Sequence, residues 1–219
     1  MSIGTNLNKV KSSLPGHVTL VAVSKTKPKE VILEAYNTGH RIFGENKVQE
    51  MVQKWEELPK DIEWHMIGHV QRNKVKYMAP FVSMIHGVDS FRLLKEIDKQ
   101  AKKNNRTIDC LLQMHIAKEE TKFGLDGNEL KEIIVSEEFE LLKNIRIVGV
   151  MGMATFTPDE SQVRKEFAYL KSIFAELKEQ LPEIDTLSMG MSGDYGIAIE
   201  EGSTMVRIGS SIFGARNYL

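Results

Sequence analysis

A short apolar run followed by an amphipathic polar stretch recurs eight times along this chain, and this repeat strongly restricts the fold. The first run, which ends at Ser24, is rich in β-branched residues, as in a strand buried on both faces of a parallel sheet. Pro28 follows at a position that suits the first turn of a helix. The predicted strands are Val18–Ser24, His40–Gly44, Ile62–Ile67, Phe81–Val88, Thr107–Ile116, Ile145–Met151, Thr186–Met189 and Thr204–Ile208.

Each predicted strand is followed by a helical pattern, which is the arrangement of a closed (β/α)8 barrel, a TIM-type α/β fold. An open doubly wound sheet is the alternative, but no Gly-x-Gly-x-x-Gly turn follows the first strand. The sequence therefore predicts a single barrel domain over residues 1–219, with a leading segment to about Ser13. The predicted helices are Pro28–Thr38, Asn46–Glu57, Asn73–Met78, Phe91–Lys103, Gly127 to about Glu137, Asp159–Gln180, Tyr195–Glu201 and Ser210–Phe213.

The charge balance and the cysteine content limit the partners and the compartment. The net charge of -1, from 29 basic and 30 acidic residues, argues against a dedicated nucleic-acid or anionic-membrane surface. The single cysteine, Cys110, lies in an apolar run, so we expect core packing and a reducing, cytoplasmic compartment. No apolar run is long enough to span a bilayer, and no signal-peptide pattern is present. We expect a cytoplasmic monomer that binds neither nucleic acid nor membranes.

Lys25 directly follows the first predicted strand, at the strand end where α/β barrels carry their functional residues. A lysine amine forms Schiff bases with carbonyl compounds when desolvation or a nearby cation lowers its pKa. A surface lysine at a strand end would give the same local pattern. Lys25 is therefore a candidate functional centre whose role depends on the other strand ends.

Glycines and serines follow the seventh and eighth predicted strands. Ser192 and Gly193 lie in the first of these turns, and Gly209-Ser210-Ser211 forms the second. Glycine lets backbone N–H groups approach an anion closely, and serine hydroxyls add hydrogen-bond donors. The same residues most often simply make tight turns. Because barrels of this class recurrently bind phosphate at their seventh and eighth loops, the pattern predicts a phosphate site.

Arg207 lies among apolar neighbours in the eighth predicted strand, where an unpaired buried charge would be costly. It should either pair with an acid from another strand or point at a polar ligand in the barrel mouth. The histidines are weaker signals, because His65, His69 and His86 are scattered without a zinc-site spacing. We therefore predict no metal centre.

A lysine, an arginine and an anion-binding cradle together describe a site for an aldehyde that carries a phosphate. Pyridoxal 5′-phosphate (PLP) has this chemistry, and so does a phosphorylated sugar in a Schiff-base aldolase. The residues alone leave both possibilities open.

Five stretches that extend over nearly the whole chain resemble the PLP homeostasis protein family. The barrel of that family is in turn similar to the N-terminal barrel of bacterial alanine racemase. Together the stretches are highly specific. They are VAVSKTKP (21–28), FGENKVQE (43–50), WHMIGHVQRNK (64–74), LSMGMSGD (187–194) and GSTMVRIGSSIFG (202–214).

This resemblance implies a role for each candidate site residue. Lys25 would carry PLP as a Schiff base, and Asn46 would lie near the cofactor ring. Arg207 would face the pyridine nitrogen. Ser192 would bind the phosphate together with the backbone or hydroxyl groups of Gly209 and Ser210. Which of Lys27, Lys74 and Lys122, if any, holds PLP transiently is left open.

Two positions depart from the pattern that the resemblance implies. His115 stands where the family usually has asparagine, and Gly87 stands where it often has serine. The first departure leaves the role of the loop after the fifth strand open, but it does not affect the expectation of cofactor binding.

The resemblance also bears on whether the protein is an enzyme. Racemases of this fold type take a second acid–base group from a C-terminal β domain, for which we expect no room after the eighth strand. We therefore expect a PLP carrier or regulator in vitamin B6 and amino-acid homeostasis, with PLP-dependent apo-enzymes as possible partners. The alternative is a weak amino-acid racemase in which Tyr195 or His115 assists Lys25. A PLP-independent aldolase is a third, less favoured hypothesis.

Overall fold

The computed structural model describes residues 2–119 and 122–214, and in these ranges eight parallel strands close into a barrel. Neighbouring strands pair in chain order, and the last strand returns to pair with the first. The predicted (β/α)8 barrel is confirmed. The strands are β1 (Thr19–Val23), β2 (Ile42–Glu45), β3 (Glu63–Met66), β4 (Met84–Val88), β5 (Ile108–Met114), β6 (Ile145–Gly152), β7 (Thr186–Met191) and β8 (Met205–Ile208).

Helices follow the strands, as the amphipathic stretches predict, and a helix also precedes β1. The predicted bounds of the helix at 91–103 are confirmed to the residue, and a helix begins at Ser210, as predicted. The helices are α1 (Ile3–Ser13), α2 (Lys29–Tyr36), α3 (Val48–Glu57), α4 (Val75–Met78), α5 (Phe91–Lys103), α6 (Gly127–Ile134), α7 (Glu137–Glu140), α8 (Glu160–Gln180), α9 (Tyr195–Glu200) and α10 (Ser210–Phe213).

Helix α1 is the element for which the sequence pattern made no prediction. The Ser2 side chain accepts the N–H of Thr5 and caps its first turn. Leu7 and Val10 are its buried residues, and the Asn6 amide donates to the carbonyl of Ile212. A helix with so narrow an apolar face is stabilised by packing on the barrel rather than by its own sequence.

Two of the predicted helices are each split into two shorter elements in the structure. The predicted helix at 127–137 ends earlier, at Ile134, because Ser136 accepts the N–H of Phe139 and starts α7. The predicted helix at 73–78 is a 3-10 turn over Arg72–Lys74 that continues into α4. Serine in a helical pattern is ambiguous, since its hydroxyl competes for backbone groups.

Two strand predictions also needed tertiary context. The fourth predicted strand begins too early at Phe81, because Phe81 and Val82 donate their N–H groups to the carbonyl of Met78. The second ends at Glu45 rather than Gly44, and the Glu45 side chain is fully buried. A buried carboxylate does not fit an apolar strand pattern, so the pattern stops one residue short.

Closure of the barrel places the first and last loops side by side. In the β1–β8 pair, Val21 lies opposite Arg207 and Ala22 lies opposite Ile208. Lys25 therefore leaves the barrel next to the loop that begins at Gly209.

The single cysteine, Cys110, is buried in β5, where burial raises the pKa of its thiol, as expected for a packing residue. Within the described ranges, no helix combines the length and the apolar character needed to cross a membrane.

Candidate functional site

A cavity of about 630 Å³ opens at the carboxyl ends of the strands, where a barrel of this class carries its functional residues. All six predicted cofactor-binding residues line it, although they come from four different strand ends of the barrel. They are Lys25, Asn46, Ser192, Arg207, Gly209 and Ser210. The structure thus brings together residues that lie up to 185 positions apart in the chain, the difference between 25 and 210.

Lys25 is half-buried in the turn that follows β1. The next residue, Thr26, has φ +64°, a left-handed conformation that is costly for a residue with a branched side chain. Lys27 lies on the same cavity wall, but its Nζ donates to the carbonyls of Phe213 and Gly214 at 2.9 and 3.3 Å. The Lys27 amine is therefore directed at the end of α10.

A buried ionic cluster, here called the Lys54 cluster (Lys54, Glu45 and Glu50), holds both neighbours of Lys25. The Lys54 amine donates to Glu45 Oε1 and Glu50 Oε1, both at 2.7 Å, and to the Ser24 carbonyl at 2.9 Å. The Ser24 hydroxyl donates to Glu45 at 2.6 Å, and the Thr26 N–H donates to Glu50 at 2.6 Å. The cluster therefore fixes the backbone on each side of Lys25.

The sequence pattern does not reveal this cluster. Its one local signal is the four-residue spacing of Glu50 and Lys54, which is common on solvated helix faces and does not indicate burial. Burial raises the pKa of Glu45 to about 7, even though the charge of Lys54 acts in the opposite direction. Glu45 Oε2 is buried and has no hydrogen-bond partner among the described residues. Glu45 is thus a carboxyl group that can gain or lose a proton near neutral pH.

The two glycine–serine turns meet at the cavity wall. The Gly209 N–H donates to the Ser192 hydroxyl oxygen at 3.3 Å, which joins the loop after β7 to the loop after β8. Asp194 accepts the N–H of Met191 at 2.6 Å and closes the first loop. Ser210 begins α10, as the sequence predicted. The predicted anion cradle is therefore assembled from two loops that touch.

Arg207 is 3% exposed and lines the cavity from β8. Its Nη1 donates to the Ser188 hydroxyl at 2.5 Å, and its Nη2 donates to the Gly152 carbonyl at 3.0 Å. No carboxylate of a described residue forms an ion pair with it, so of the two predicted alternatives the pairing with an acid is not observed, and Arg207 lines the barrel mouth instead. Burial lowers its pKa to about 10, although the charge of Asp194 acts in the opposite direction. The guanidinium is a buried cation with neutral hydrogen-bond partners.

Two of the scattered histidines form a buried chain behind Arg207. His65 Nδ1 lies 3.0 Å from His86 Nε2, and His86 Nδ1 lies 3.3 Å from the Ser188 hydroxyl. Arg207 can only donate, so the Ser188 hydroxyl oxygen accepts from it, and the same hydroxyl lies within hydrogen-bond distance of His86 Nδ1. Burial lowers the pKa of His65 to about 3 and that of His86 well below its ordinary value. Both imidazoles are neutral and fix the orientation of Ser188.

His69 lines the cavity from the loop that follows β3. Its Nδ1 lies 2.7 Å from Asp89 Oδ2, and its ring stacks on Phe123 with centroids 3.9 Å apart and planes inclined by 12°. The Gln113 amide donates to the Phe123 carbonyl at 2.8 Å and secures the aromatic side of this stack to β5. From the sequence, His69 is one of the polar residues at the end of the third predicted strand and a weak metal-ligand candidate, with no role assigned to it. Among the described residues, no three His, Cys, Asp or Glu side chains are placed to hold a metal ion.

Several other candidate residues are not among those that line the cavity. His115 and Tyr195 are not part of its wall, and His115 Nε2 lies 3.0 Å from the carbonyl of Glu119. Lys74 is also outside it, and the Lys122 amine donates to the Ala154 carbonyl at 2.6 Å. These residues are therefore not brought together with Lys25.

Gly87, the second departure from the family pattern, lies in a crowded position. A Cβ atom added at this residue would lie 2.5 Å from the carbonyl oxygen of Gly68. Serine at position 87 would therefore require a shift of the backbone between β3 and β4 in this chain.

Comparison with protein families and curated proteins gives a consistent result. The sequence model of the family described as "Alanine racemase, N-terminal domain" matches residues 2–217. A pyridoxal phosphate homeostasis protein of Aquifex aeolicus is 44% identical over 202 residues, covering 91% of this chain and 87% of the relative. The protein of the same name from Escherichia coli is 41% identical over 210 residues, covering 93% and 88%.

Solved structures agree with this comparison. PipY of Synechococcus elongatus without PLP is 36% identical and has a TM-score of 0.91, covering 97% of this chain and 100% of PipY. The structure of PipY with PLP bound has a TM-score of 0.88 at the same coverage. An alanine racemase of Clostridium difficile is 16% identical, with a TM-score of 0.80 over 99% of this chain and 57% of the racemase. The last likeness shows a shared barrel fold.

Proposed function

Because this chain belongs to the pyridoxal phosphate homeostasis protein family, we propose that it binds PLP and holds it as a Schiff base on Lys25. In this proposal it acts in intracellular PLP and amino-acid homeostasis as a carrier or regulator. PLP-dependent apo-enzymes are the proposed acceptors. The relative PipY, whose solved structure has PLP bound, supports PLP binding by this chain.

The observation that carries the proposal is that Lys25 and both anion-binding loops line one cavity. The pairing of β1 with β8 places Lys25 beside the loop of Gly209 and Ser210. The hydrogen bond from Gly209 to Ser192 adds the loop after β7 to the same wall. An aldehyde that carries a phosphate can therefore present its carbonyl carbon to the lysine amine while hydroxyl and N–H groups bind the phosphate.

The residues present fit such a ligand. Ser192 and Ser210 contribute hydroxyl groups, and Val23 and Ile67 contribute apolar surface to the same cavity. A Cβ atom at Gly209 would lie 3.1 Å from the Val23 carbonyl oxygen, so a larger residue there would crowd the cradle. A mixture of apolar wall and few placed donors is typical of cofactor sites.

Arg207 is the proposed partner of the pyridine nitrogen. A guanidinium has five N–H donors, and the two hydrogen bonds to Ser188 and Gly152 leave donors for a ligand in the cavity. When bound, PLP supplies an aldehyde for the lysine amine and a ring that can accept carbanion electrons. A guanidinium that stays charged disfavours protonation of the ring nitrogen and so makes the ring a poorer electron acceptor. Arg207 therefore favours holding the cofactor over carbanion chemistry.

The placement of the expected acid–base residues also favours a carrier. Racemisation requires proton transfer on both faces of the substrate, by groups within hydrogen-bond reach. The two candidates considered for this role, His115 and Tyr195, are not part of the cavity wall. We therefore retain the carrier as the proposed function, with racemisation as an outcome of the test.

The test is to trap the Schiff base and locate it. The purified protein is incubated with PLP, reduced with borohydride and examined by mass spectrometry, with the visible absorption band recorded beforehand. We expect modification of Lys25 and loss of the band in Lys25→Ala. Lys47→Ala, at an exposed lysine near the same strand ends, is the control and should retain both signals. A wild-type protein that acquires neither the band nor the modification would overturn the proposal.

A second pair of measurements separates phosphate binding and catalysis from Schiff-base formation. Ser192→Ala combined with Ser210→Ala should weaken PLP retention while Lys25 can still be modified at high PLP concentration. Unchanged retention would mean that the phosphate binds elsewhere. Incubation of the PLP-loaded protein with single-enantiomer amino acids should leave their chirality unchanged. Sustained racemisation that is abolished by Lys25→Ala would overturn the carrier assignment in favour of an enzyme.

A further inference from the structure

The pair of His69 and Asp89 has the construction of an oriented acid–base group. The side chain of Asp89 is 11% exposed and that of His69 is 39% exposed, so the carboxylate is largely shielded while the imidazole reaches the opening. The short contact of 2.7 Å between Nδ1 and the carboxylate places the proton of the ring on Nδ1. His69 Nε2 forms no hydrogen bond with the residues that the structure describes, and this nitrogen is left to accept a proton.

The aromatic stack fixes the orientation of the imidazole from its other side. Phe123 lies parallel to the His69 ring at 3.9 Å, and both residues line the cavity. The hydrogen bond from Gln113 holds the Phe123 backbone, and Gln113 itself is 3% exposed. An imidazole held by a carboxylate at one nitrogen and by a ring on one face has few remaining orientations. This rigidity is what a general base or acid requires.

The position of the pair in the barrel separates it from the anion cradle. His69 follows β3 and Asp89 follows β4, whereas the cradle follows β7 and β8. In a closed barrel of eight strands in chain order, strands three and four lie across the barrel from strands seven and eight. The cradle and His69 therefore line opposite sides of the same cavity.

From this placement we infer that the His69–Asp89 pair is an acid–base site for the exchange of PLP between Lys25 and an incoming primary amine, of which the α-amino group of an amino acid is the simplest. The inference rests on the proposed Schiff base at Lys25. An amino group enters as an ammonium ion at neutral pH and must lose one proton before it can attack a carbon atom. His69 Nε2 accepts that proton as the ammonium N–H bond breaks. The imidazolium would return that proton to the Lys25 nitrogen as the carbon atom bonds to the incoming nitrogen and its double bond to Lys25 becomes single. A second proton would then pass through His69 from the incoming nitrogen to the Lys25 nitrogen. The remaining carbon–nitrogen bond to Lys25 would break, the lysine would leave as a neutral amine, and the carbon would become doubly bonded to the incoming nitrogen, which keeps one proton.

The experiment follows the departure of PLP from Lys25. The PLP-loaded protein is mixed with L-alanine, samples are reduced with borohydride at timed intervals, and the fraction of PLP-modified Lys25 is measured by mass spectrometry. General acid–base groups contribute on the order of 100-fold or more to a rate, so His69→Gln should slow the loss of the modification by about that factor. PLP retention in the absence of the amine should stay unchanged, and added imidazole should restore part of the rate.

Two comparisons make the result specific. Asp89→Asn should also slow the exchange, because it weakens the orientation of His69, whereas His17→Gln, at an exposed histidine, should not. If His69→Gln exchanges PLP at the wild-type rate, or if imidazole has no effect on a slowed variant, the inference is wrong while the proposed function stands. If wild-type Lys25 carries no reducible PLP, the proposed function itself fails before exchange is measured.

Discussion

Replacing Lys54 with methionine is the sharpest test of how the fold holds Lys25. Methionine has a similar length and is apolar, so it keeps much of the packing volume of the lysine side chain. It removes the hydrogen bonds that the Lys54 amine donates to Glu45, Glu50 and the Ser24 carbonyl. Glu45 would then be a fully buried carboxyl group without a cation. The perturbation therefore combines a stability effect with a change at the turn of Lys25.

The expected magnitude follows from the burial of the cluster. Removing one partner of a buried ion pair costs about 3–5 kcal/mol, because the other charge is left uncompensated. Glu45 can relieve part of this cost by taking up a proton, since its pKa is already raised to about 7. We therefore expect a decrease in the free energy of unfolding of about 3 kcal/mol near neutral pH. For a chain of this size, that corresponds to a fall in Tm of about 6–12 °C.

The effect of Lys54→Met on stability should depend on pH through the protonation of Glu45. The folded-state pKa of Glu45 is raised above its ordinary value of 4.5, so the folded state binds more protons than the unfolded state between pH 4.5 and about 7. The contribution of Glu45 to stability is therefore fully present below 4.5 and is lost as the pH rises through about 7. Without Lys54 the pKa of Glu45 rises further, so the cost of Lys54→Met should grow with increasing pH.

Urea unfolding at two pH values, with the slope of the transition compared between variants, measures this effect. Lys29→Met is the matched control. Lys29 is on the neighbouring helix α2 and forms an exposed ion pair with Glu57, so this variant removes the same residue type from the surface. The double variant Glu45→Gln with Lys54→Met should be more stable than Lys54→Met alone, since no charge is left buried. If Lys54→Met matches the wild type both in stability and in borohydride trapping of Lys25, the role given to the Lys54 cluster is wrong.

Three further predictions test other parts of the site. Burial lowers the pKa of His40 to about 4 and that of His65 to about 3. Their stabilising contribution is therefore complete above pH 6.5 and is lost as the pH falls through these values. The urea midpoint should decrease on acidification below 6.5, and a midpoint that rises steadily down to pH 4 would contradict this. Ser188→Ala should lower the free energy of unfolding by about 1–3 kcal/mol, because it leaves Arg207 and His86 without a shared partner; the same assay measures it, and a neutral effect would argue against the buried chain. Gly68→Ala places a Cβ atom 2.4 Å from the Asn46 carbonyl oxygen and should reduce both stability and PLP retention, whereas Gly16→Ala, where a Cβ atom meets nothing within 4 Å, should leave both unchanged.

The barrel could be predicted because each strand and each helix carries its own local pattern. A strand buried on both faces must be apolar, and a helix on the outside must be amphipathic, so the repeat is visible without knowledge of long-range contacts. Element ends were less well predicted where one side chain decides them, as Ser136 does at the start of α7. Helix α1 has only Leu7 and Val10 as buried residues, and its pattern was too weak to predict.

The candidate site was predictable to the extent that it follows from strand order. Lys25, Arg207 and the glycine–serine turns lie at strand ends or within a strand, and a closed barrel necessarily gathers such ends at one rim. The sequence did not reveal whether Arg207 pairs with an acid, because the choice depends on what β6 and β7 present to it. The structure shows the Gly152 carbonyl and the Ser188 hydroxyl in that place.

The sequence by itself determined the fold class, and it predicted Lys25 and the glycine–serine turns as site residues, because these predictions depend on local periodicity and residue chemistry. Only the tertiary structure decided which polar residues become buried partners. Glu45, Lys54 and Glu50 look like an ordinary strand end and a solvated helix face, and barrel closure turns them into a cluster around Lys25. His69 and Asp89 lie 20 positions apart and acquire a common role because β3 and β4 are neighbours. Burial and proximity are properties of the closed barrel, and burial is what raises the pKa of Glu45 to about 7.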